Sequence, residues 1–383
     1  MKILIGILLF FNSLLLVAQQ TVTEVGPLPD VIDESSGLIF FNGRLLTHND
    51  SGNSAILYEL DTLSLEIVRQ VSILNVENND WEAITQDENY IYIGDIGNNK
   101  GTRQNLAIYR ITKEAYLESD KVTAENINFV YEGQEDFNDN GDSNWDAEAL
   151  VVIGEQLVIF TKQWQSNGTV AYAIPNVPGD HIATAIATLN DIGLVTDASY
   201  DIESNELYLL GYSSMLTPFL LKYTDVSLSG IFNNPEGDID LGLSFVQTEG
   251  IVKLSDNEFF ITSEYFSRQS PSITSEARVF KVEIIEKLPQ EPIDLEEGLE
   301  GENKVEEHVI IYKDLASDAF LYEIKTKDTI KGISIFDCSG RLLWSFGELD
   351  AKGSISNIFP SLSIYYFTVY LNSRILSVPF VRY

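Results

Sequence analysis

Glu34-Ser-Ser-Gly-Leu-Ile, Glu82-Ala-Ile-Thr, Glu148-Ala-Leu-Val, Asp197-Ala-Ser-Tyr and Glu249-Gly-Ile-Val are five versions of one phrase, a carboxylate followed by one or two small residues and, in most copies, an apolar pair. The intervals between the carboxylates are 48, 66, 49 and 52 residues. That is the length of a unit of about four short strands. Each phrase is followed by an apolar run that closes in polar groups, residues 45–50, 90–95, 157–162, 207–212 and 259–264. A third run follows in turn, residues 55–60, 106–111, 169–174, 219–223 and 277–282. Five or six residues rich in β-branched and aromatic side chains read as strand.

Four antiparallel strands in each of five units predict an all-β chain in which residues 21–288 form a five-bladed β-propeller. Six blades is the alternative, because the 66-residue interval is long; an insertion there is preferred. The alternating stretch Thr21-Val-Thr-Glu-Val-Gly is expected to supply the outer strand that the last unit lacks.

Outside this region the texture changes. Residues 1–20 carry Lys2, an apolar core and Ala18-Gln-Gln, the pattern of a secretory signal peptide. The mature chain is therefore expected to be secreted or held at the outer cell surface, without a transmembrane span. Residues 289–309 are acidic and nearly free of aromatics, which reads as a solvated linker. Residues 310–383 return to short alternating runs joined by turn residues such as Asp337-Cys-Ser-Gly, and predict a small antiparallel β-sandwich.

The chain has 58 Asp and Glu against 24 Lys and Arg, a formal charge of −34. Such a field repels nucleic-acid backbones and anionic lipid surfaces and favours divalent cations. Cys338 is the one cysteine, so neither an internal disulfide nor a zinc-binding cysteine framework is available. The sequence contains no Gly-x-Ser-x-Gly elbow and no His-Glu-x-x-His pair.

Two sets of residues are candidates for chemistry. The stretch Asp136-Phe-Asn138-Asp-Asn140-Gly-Asp142-Ser-Asn144-Trp-Asp146-Ala-Glu148 spaces oxygen side chains at alternate positions with Gly141 at the sixth, matching the front half of a calcium loop. An acidic, asparagine-rich turn is the other reading of the same residues. The second set is Glu34, Asn49, Asp50, Glu82, Asp95, Asp197 and Glu249, which would line one rim or channel if the phrases begin inner strands. Carboxylates gathered in that way must recruit a cation, bond backbone amides or hold protons.

Two family resemblances accompany these readings. Ile311-Tyr-Lys-Asp-Leu-Ala-Ser-Asp318, Ile335-Phe-Asp-Cys-Ser-Gly-Arg-Leu-Leu343 and Leu362-Ser-Ile-Tyr-Tyr-Phe367 resemble elements of the type A C-terminal sorting domain of the Bacteroidota type IX secretion system. That resemblance implies the secretion machinery as a partner. Glu34-Ser-Ser-Gly-Leu, Asn49-Asp, Asp80-Trp-Glu82, Gly94-Asp-Ile-Gly-Asn-Asn99 and Asp146-Ala-Glu148 are similar to stretches of secreted propellers grouped with esterase-like phytases or calcium-binding propellers. The expected function is an exported binding or interaction module. Its alternative is a metal-dependent hydrolase of phosphate or carboxylic esters, with Asp50, Asp95, Glu148 and Lys162 at the rim.

Overall fold

The computed structural model describes residues 19–285, except 140, 215 and 270–271, and then 308–313, 320–337, 342–346, 351–355, 363–371 and 375–382. Most of the expected signal peptide and linker, together with Asn140 and parts of all three sorting-domain elements, lie outside the described residues. The chain divides into two compact units, Met1–Glu291 and Pro292–Tyr383.

In the first unit, β1 (Gln19–Pro27) precedes β2 (Ser35–Phe41), β3 (Arg44–Asn49), β4 (Ile56–Leu60) and β5 (Ile67–Ile73). Next come β6 (Trp81–Gln86), β7 (Tyr90–Asp95), β8 (Ala107–Thr112), the short helix α1 (Lys113–Glu118), β9 (Lys121–Val122) and β10 (Glu125–Tyr131). They lead to β11 (Ala147–Ile153), β12 (Gln156–Thr161), β13 (Thr169–Pro175) and β14 (Gly179–Leu189). The sequence continues with β15 (Leu194–Asp201), β16 (Glu206–Tyr212), β17 (Pro218–Tyr223) and β18 (Pro235–Asp240). Last are β19 (Thr248–Ser255), β20 (Glu258–Ser263), β21 (Phe266–Gln269), β22 (Ser272–Ser275) and β23 (Arg278–Ile285).

These strands correct the expected propeller. In place of five or six separate, equal blades, the main sheets have five, eight, four and four strands, in the orders β2-β3-β4-β5-β9, β11-β12-β13-β14-β10-β8-β7-β6, β15-β16-β17-β18 and β1-β23-β20-β19. Parallel pairing is the cause. β10 runs parallel to β14, from Ile127 opposite Gly179 to Tyr131 opposite Ala183, and fuses two expected units into one eight-stranded sheet. The end strands of that sheet, β11 and β6, lie against each other, so it nearly closes as a barrel. β9 likewise joins β5 in parallel through Ser72 and Ile73. Sequence patterning anticipates antiparallel neighbours joined by turns and carries no mark of these long-range parallel contacts.

The strands that carry the phrases neighbour one another in a cycle, β2 with β6, β6 with β11, β11 with β15, β15 with β19 and β19 with β2. Behind them, strands such as β7, β12, β16 and β20 are buried along nearly their whole length, which explains their continuous apolar runs. Trp81 and Phe259 are fully enclosed between sheets. Burying one side chain of the size of Phe259 stabilises the fold by roughly 1.5–3 kcal/mol.

The second unit has two sheets. His308–Lys313, Phe320–Lys325 and Lys352–Ile355 form one, and Leu342–Phe346, Ile330–Asp337, Ser363–Leu371 and Ile375–Arg382 the other. Phe320, Tyr322, Ile333, Phe367 and Val369 share its core. Among the described residues no helix of the chain is long and apolar enough to cross a membrane.

Candidate functional site

Three of the phrase glutamates are placed by the same backbone irregularity. In β6 the ladder passes from Trp81 opposite Asp95 to Ala83 opposite Gly94, leaving Glu82 without a partner in the register. β11 skips Glu148 between Ala147 and Ala149, and β19 skips Glu249 between Thr248 and Gly250. A bulge residue is released from the pleat and its side chain re-aimed. Glu82, Glu148 and Glu249 thereby come to line one cavity of about 200 Å³, together with Asp50, Lys162 and Glu264.

The other two phrase carboxylates are not in it. In β15 the skipped residue is Thr196, so Asp197 falls one position later. It accepts from the backbone N–H of Ile251 at 2.7 Å and of Ala198 at 2.8 Å and ties β15 to β19. Glu34 precedes β2, is exposed and accepts from Asn53 Nδ2 at 2.7 Å. From that strand the cavity receives Ser36 instead, whose hydroxyl donates to Glu82 at 3.2 Å.

The densest acidic group is Asp50, Asp80 and Glu82, which can each turn an oxygen to within 4.8 Å of the others. Its room comes from Gly97. A Cβ there would lie 2.5 Å from Asp80 Oδ2 and 2.6 Å from Glu82 Oε1. The surroundings hold the group firmly. Asp95, fully buried, accepts from Arg103 at 2.6 Å, Asn79 at 2.7 Å, Tyr109 at 2.9 Å and the backbone N–H of Asp80 at 3.1 Å. Asn78 donates to the carbonyls of Asn49 and Asp50 at 2.9 and 2.8 Å, and Asn49 donates to Val31 O at 2.8 Å. Asp95 and Asn49 thus support the cluster from behind.

Burial raises the carboxyl pKa of Asp80 to about 7, with Asp50 adding to the rise and Arg103 opposing it. Glu82 is raised well above its ordinary range by burial and then by Glu148 and Asp50. Asp50 is raised by burial, against the pull of the Ser51 amide and Lys162. In the same cavity Lys162 Nζ sits 3.0 Å from Glu148 and 4.9 and 5.3 Å from the centres of the Trp164 and Tyr212 rings. Burial works against the lysine's charge, but Glu148 and Glu249 outweigh it and keep the ammonium protonated. Glu264 is raised to about 7 by burial, with Lys162 opposing and Asp50 and Glu34 adding to the rise. Glu249, 4% exposed, has an oxygen, Oε2, with no hydrogen-bond partner. One ammonium thus faces several carboxylates, and at the end formed by Asp50, Asp80 and Glu82 the Arg103 guanidinium lies 4.0 Å from Asp80.

The expected calcium loop is spread over two places. Asp136, Asn138, Asp142 and Asn144 line a shallow surface pocket of about 280 Å³. Asn144 Oδ1 there accepts from the backbone N–H groups of Gln165 and Ser166 at 3.0 and 3.2 Å. Asp146 is fully buried and accepts from Asn98 N at 2.6 Å and Trp164 Nε1 at 2.8 Å, while Glu148 faces the inner cavity. Sequence reasoning did not assign Asp80, Gly97 or Glu264 to a site. A signal for Glu264 was present, since four of the five second runs end in residues that reach the cavity, Asp50, Lys162, Tyr212 and Glu264, the exception being Asp95.

The expectation of a propeller-shaped binding module is corrected by this buried acidic cluster within a barrel-like β domain, an arrangement that can coordinate a divalent ion. No protein-family model matches the chain, and no curated protein matches it. The resemblances to the sorting domain and to the propeller groups are therefore withdrawn, the second also on the observed sheet order. Among solved structures, hydrazine synthase of Kuenenia stuttgartiensis is similar at 9% identity and a TM-score of 0.36, over 89% of this chain and 78% of that one. A chain of a mitotic checkpoint complex is similar at 9% identity and a TM-score of 0.32, over 100% and 99%.

Proposed function

We propose that the first unit is a metal-dependent hydrolase of phosphate or carboxylic esters, working in the cavity between Asp50-Asp80-Glu82 and Lys162. The observation that carries this reading is the convergence of those three carboxylates around the space left by Gly97. Their donors are all hard oxygens, which suits calcium better than a thiolate- or imidazole-seeking metal. A divalent ion held there would polarise the ester and lower the cost of deprotonating water.

The chain's own groups take the remaining roles. Lys162 offsets negative charge in the cavity and draws the anionic end of a substrate toward it. Glu264, whose carboxyl is raised to about 7, accepts the proton of the attacking water, and Glu249, whose burial raises its carboxyl well above the ordinary range and leaves Oε2 without a partner, gives a proton to the departing alkoxide. The ester C–O or P–O bond breaks as the new bond to the water oxygen forms. An exported location follows from residues 1–20 and supplies millimolar calcium. Mass spectrometry of the native protein should find a mature N-terminus near residue 20.

The test is turnover of p-nitrophenyl phosphate and p-nitrophenyl acetate, and of natural phosphomonoesters, with calcium, magnesium, manganese or zinc and with excess chelator. Metal-stimulated hydrolysis that Asp80→Asn and Glu82→Gln each reduce at least 100-fold is expected. Absence of turnover with every metal and ester rejects the reading. The surface pocket of Asp136, Asn138, Asp142 and Asn144 is proposed as a second calcium position, whose stoichiometric contribution in calorimetry should disappear in an Asp136→Ala, Asp142→Ala variant.

A further inference from the structure

A separate groove lies elsewhere on the first unit. It has a volume of about 680 Å³, within the usual range for small-ligand sites. It forms where β10 meets β8 on one side and β14 on the other. From Asn126 onward the positions of β10 alternate: Ile127, Phe129 and Tyr131 are buried, whereas Asn126, Asn128 and Val130 are exposed. Asn126 lies opposite Tyr109 and Asn128 opposite Ala107 in the antiparallel register, while the parallel register sets Asn128 beside Asp180 and Val130 beside Ile182. The connections before β6 and β8 add Asn79, Gln104 and Asn105.

The lining decides the class of ligand. It contains five side-chain amides and no lysine or arginine, so nothing in it neutralises a phosphate or carboxylate. Its one carboxylate, Asp180, already accepts from Asn128 Nδ2 at 2.9 Å, and a single engaged oxygen donor does not make a cation site. His181 is also engaged, bonded at 2.8 Å to Val177 O. The amides of Gln104 and Asn126 are exposed and without hydrogen-bond partners among the described residues. Each therefore presents an N–H donor and a C=O acceptor side by side. That pair matches two adjacent hydroxyl groups, one accepting and one donating. Around them Val130 and Ile182, 47% and 64% exposed, offer apolar surface for the C–H face of a sugar ring.

We infer that this groove binds a neutral carbohydrate, with Gln104 and Asn126 as its principal hydrogen-bonding groups. The inference does not rest on the hydrolase reading: Asn79 and Tyr109 of the groove wall also bond Asp95, but Gln104 and Asn126 are not among the residues lining the acidic cavity. Unlike the acidic cavity, the groove recognises its ligand without charge, so salt leaves its affinity unchanged.

The experiment is titration calorimetry of the intact chain with neutral hexasaccharides, namely cello-, malto-, xylo- and mannohexaose, at 0.05 and 0.5 M NaCl in the presence of chelator. Binding of at least one is expected, with dissociation constants within a factor of two at the two salt concentrations. A Gln104→Ala, Asn126→Ala variant should bind that saccharide at least tenfold more weakly. Both side chains are exposed, so the variant should keep the parent's circular dichroism and melting temperature. A Gln104→Leu, Asn126→Leu variant, which retains bulk and removes the amides, should lose binding equally. No binding of any of the four, a variant that binds as the parent does, or affinity that falls with salt overturns the inference.

Discussion

Replacing Gly97 by alanine tests the acidic cluster at its narrowest point. The added methyl carbon would stand 2.5 Å from Asp80 Oδ2 and 2.6 Å from Glu82 Oε1, where ordinary contact begins near 3.4 Å. Both oxygens must retreat by about 0.8–0.9 Å. Metal–oxygen distances tolerate only about 0.2 Å, so two of the three carboxylates leave the coordination shell together. If each contributes about tenfold, calcium affinity falls about 100-fold, or roughly 2.8 kcal/mol. The metal-free fold suffers a different and smaller penalty, the overpacking cost of about 1–3 kcal/mol. The two effects separate in a melting experiment. The parent should gain in melting temperature when millimolar calcium replaces chelator, and Gly97→Ala should melt lower without calcium and gain little with it. Calorimetry on both proteins gives the affinity directly. A variant that melts lower yet binds calcium as tightly as the parent would falsify the placement of the ion between Asp80 and Glu82.

Two further outcomes follow from the same cavity. Glu264 rises from its ordinary 4.5 to about 7 in the fold, which corresponds to roughly 3 kcal/mol; because the folded state holds the proton more tightly, that stability is present below about pH 4.5 and is lost as pH climbs to 7. The metal-free protein should therefore melt lower by several degrees at pH 7.5 than at pH 5 as far as this group and Asp80 are concerned, calcium should remove the difference, and a Glu264→Gln variant should flatten the chelated pH profile. Lys162→Met leaves Glu148 buried without its partner and should destabilise by about 3–5 kcal/mol, read as a lower denaturant midpoint. Adding Glu148→Gln to it should recover part of the loss, and a single variant as stable as the parent would remove the ion pair from the account.

The strands themselves were legible in the sequence, because β-branched and aromatic runs bounded by turns leave few other options; β7, β12, β16 and β20 coincide with the second runs of the phrases. Their assembly was not. The parallel pairing of β10 with β14 joins residues about fifty positions apart through side chains that carry no complementary mark. The site shows the same division. Glu82, Glu148 and Glu249 share a cavity as their common phrase suggested, but Asp197 belongs to the phrase by composition and not by register, since the bulge in β15 falls on Thr196. A displacement of one residue sends a strand side chain to the other face, and nothing in Thr196-Asp-Ala-Ser announces which residue the ladder will skip. Asp80 and Gly97 were not assignable to a site for a related reason. Their importance lies in a close approach between two segments, which only the folded backbone creates.

The pairing of β1 with β23, from Gln19 opposite Ile285 to Pro27 opposite Arg278, also constrains the order of events during synthesis. The partner of the first described strand is made some 250 residues later. A closure of that length is slow for entropic reasons and raises the contact order of the whole unit. Until it happens, β23 presents an unpaired edge able to accept a strand from another chain. A ribosome-bound intermediate of this protein is thus most prone to intermolecular association when nearly all of the first unit has been made, and a circular permutant that links β1 directly to β23 should shorten that vulnerable interval.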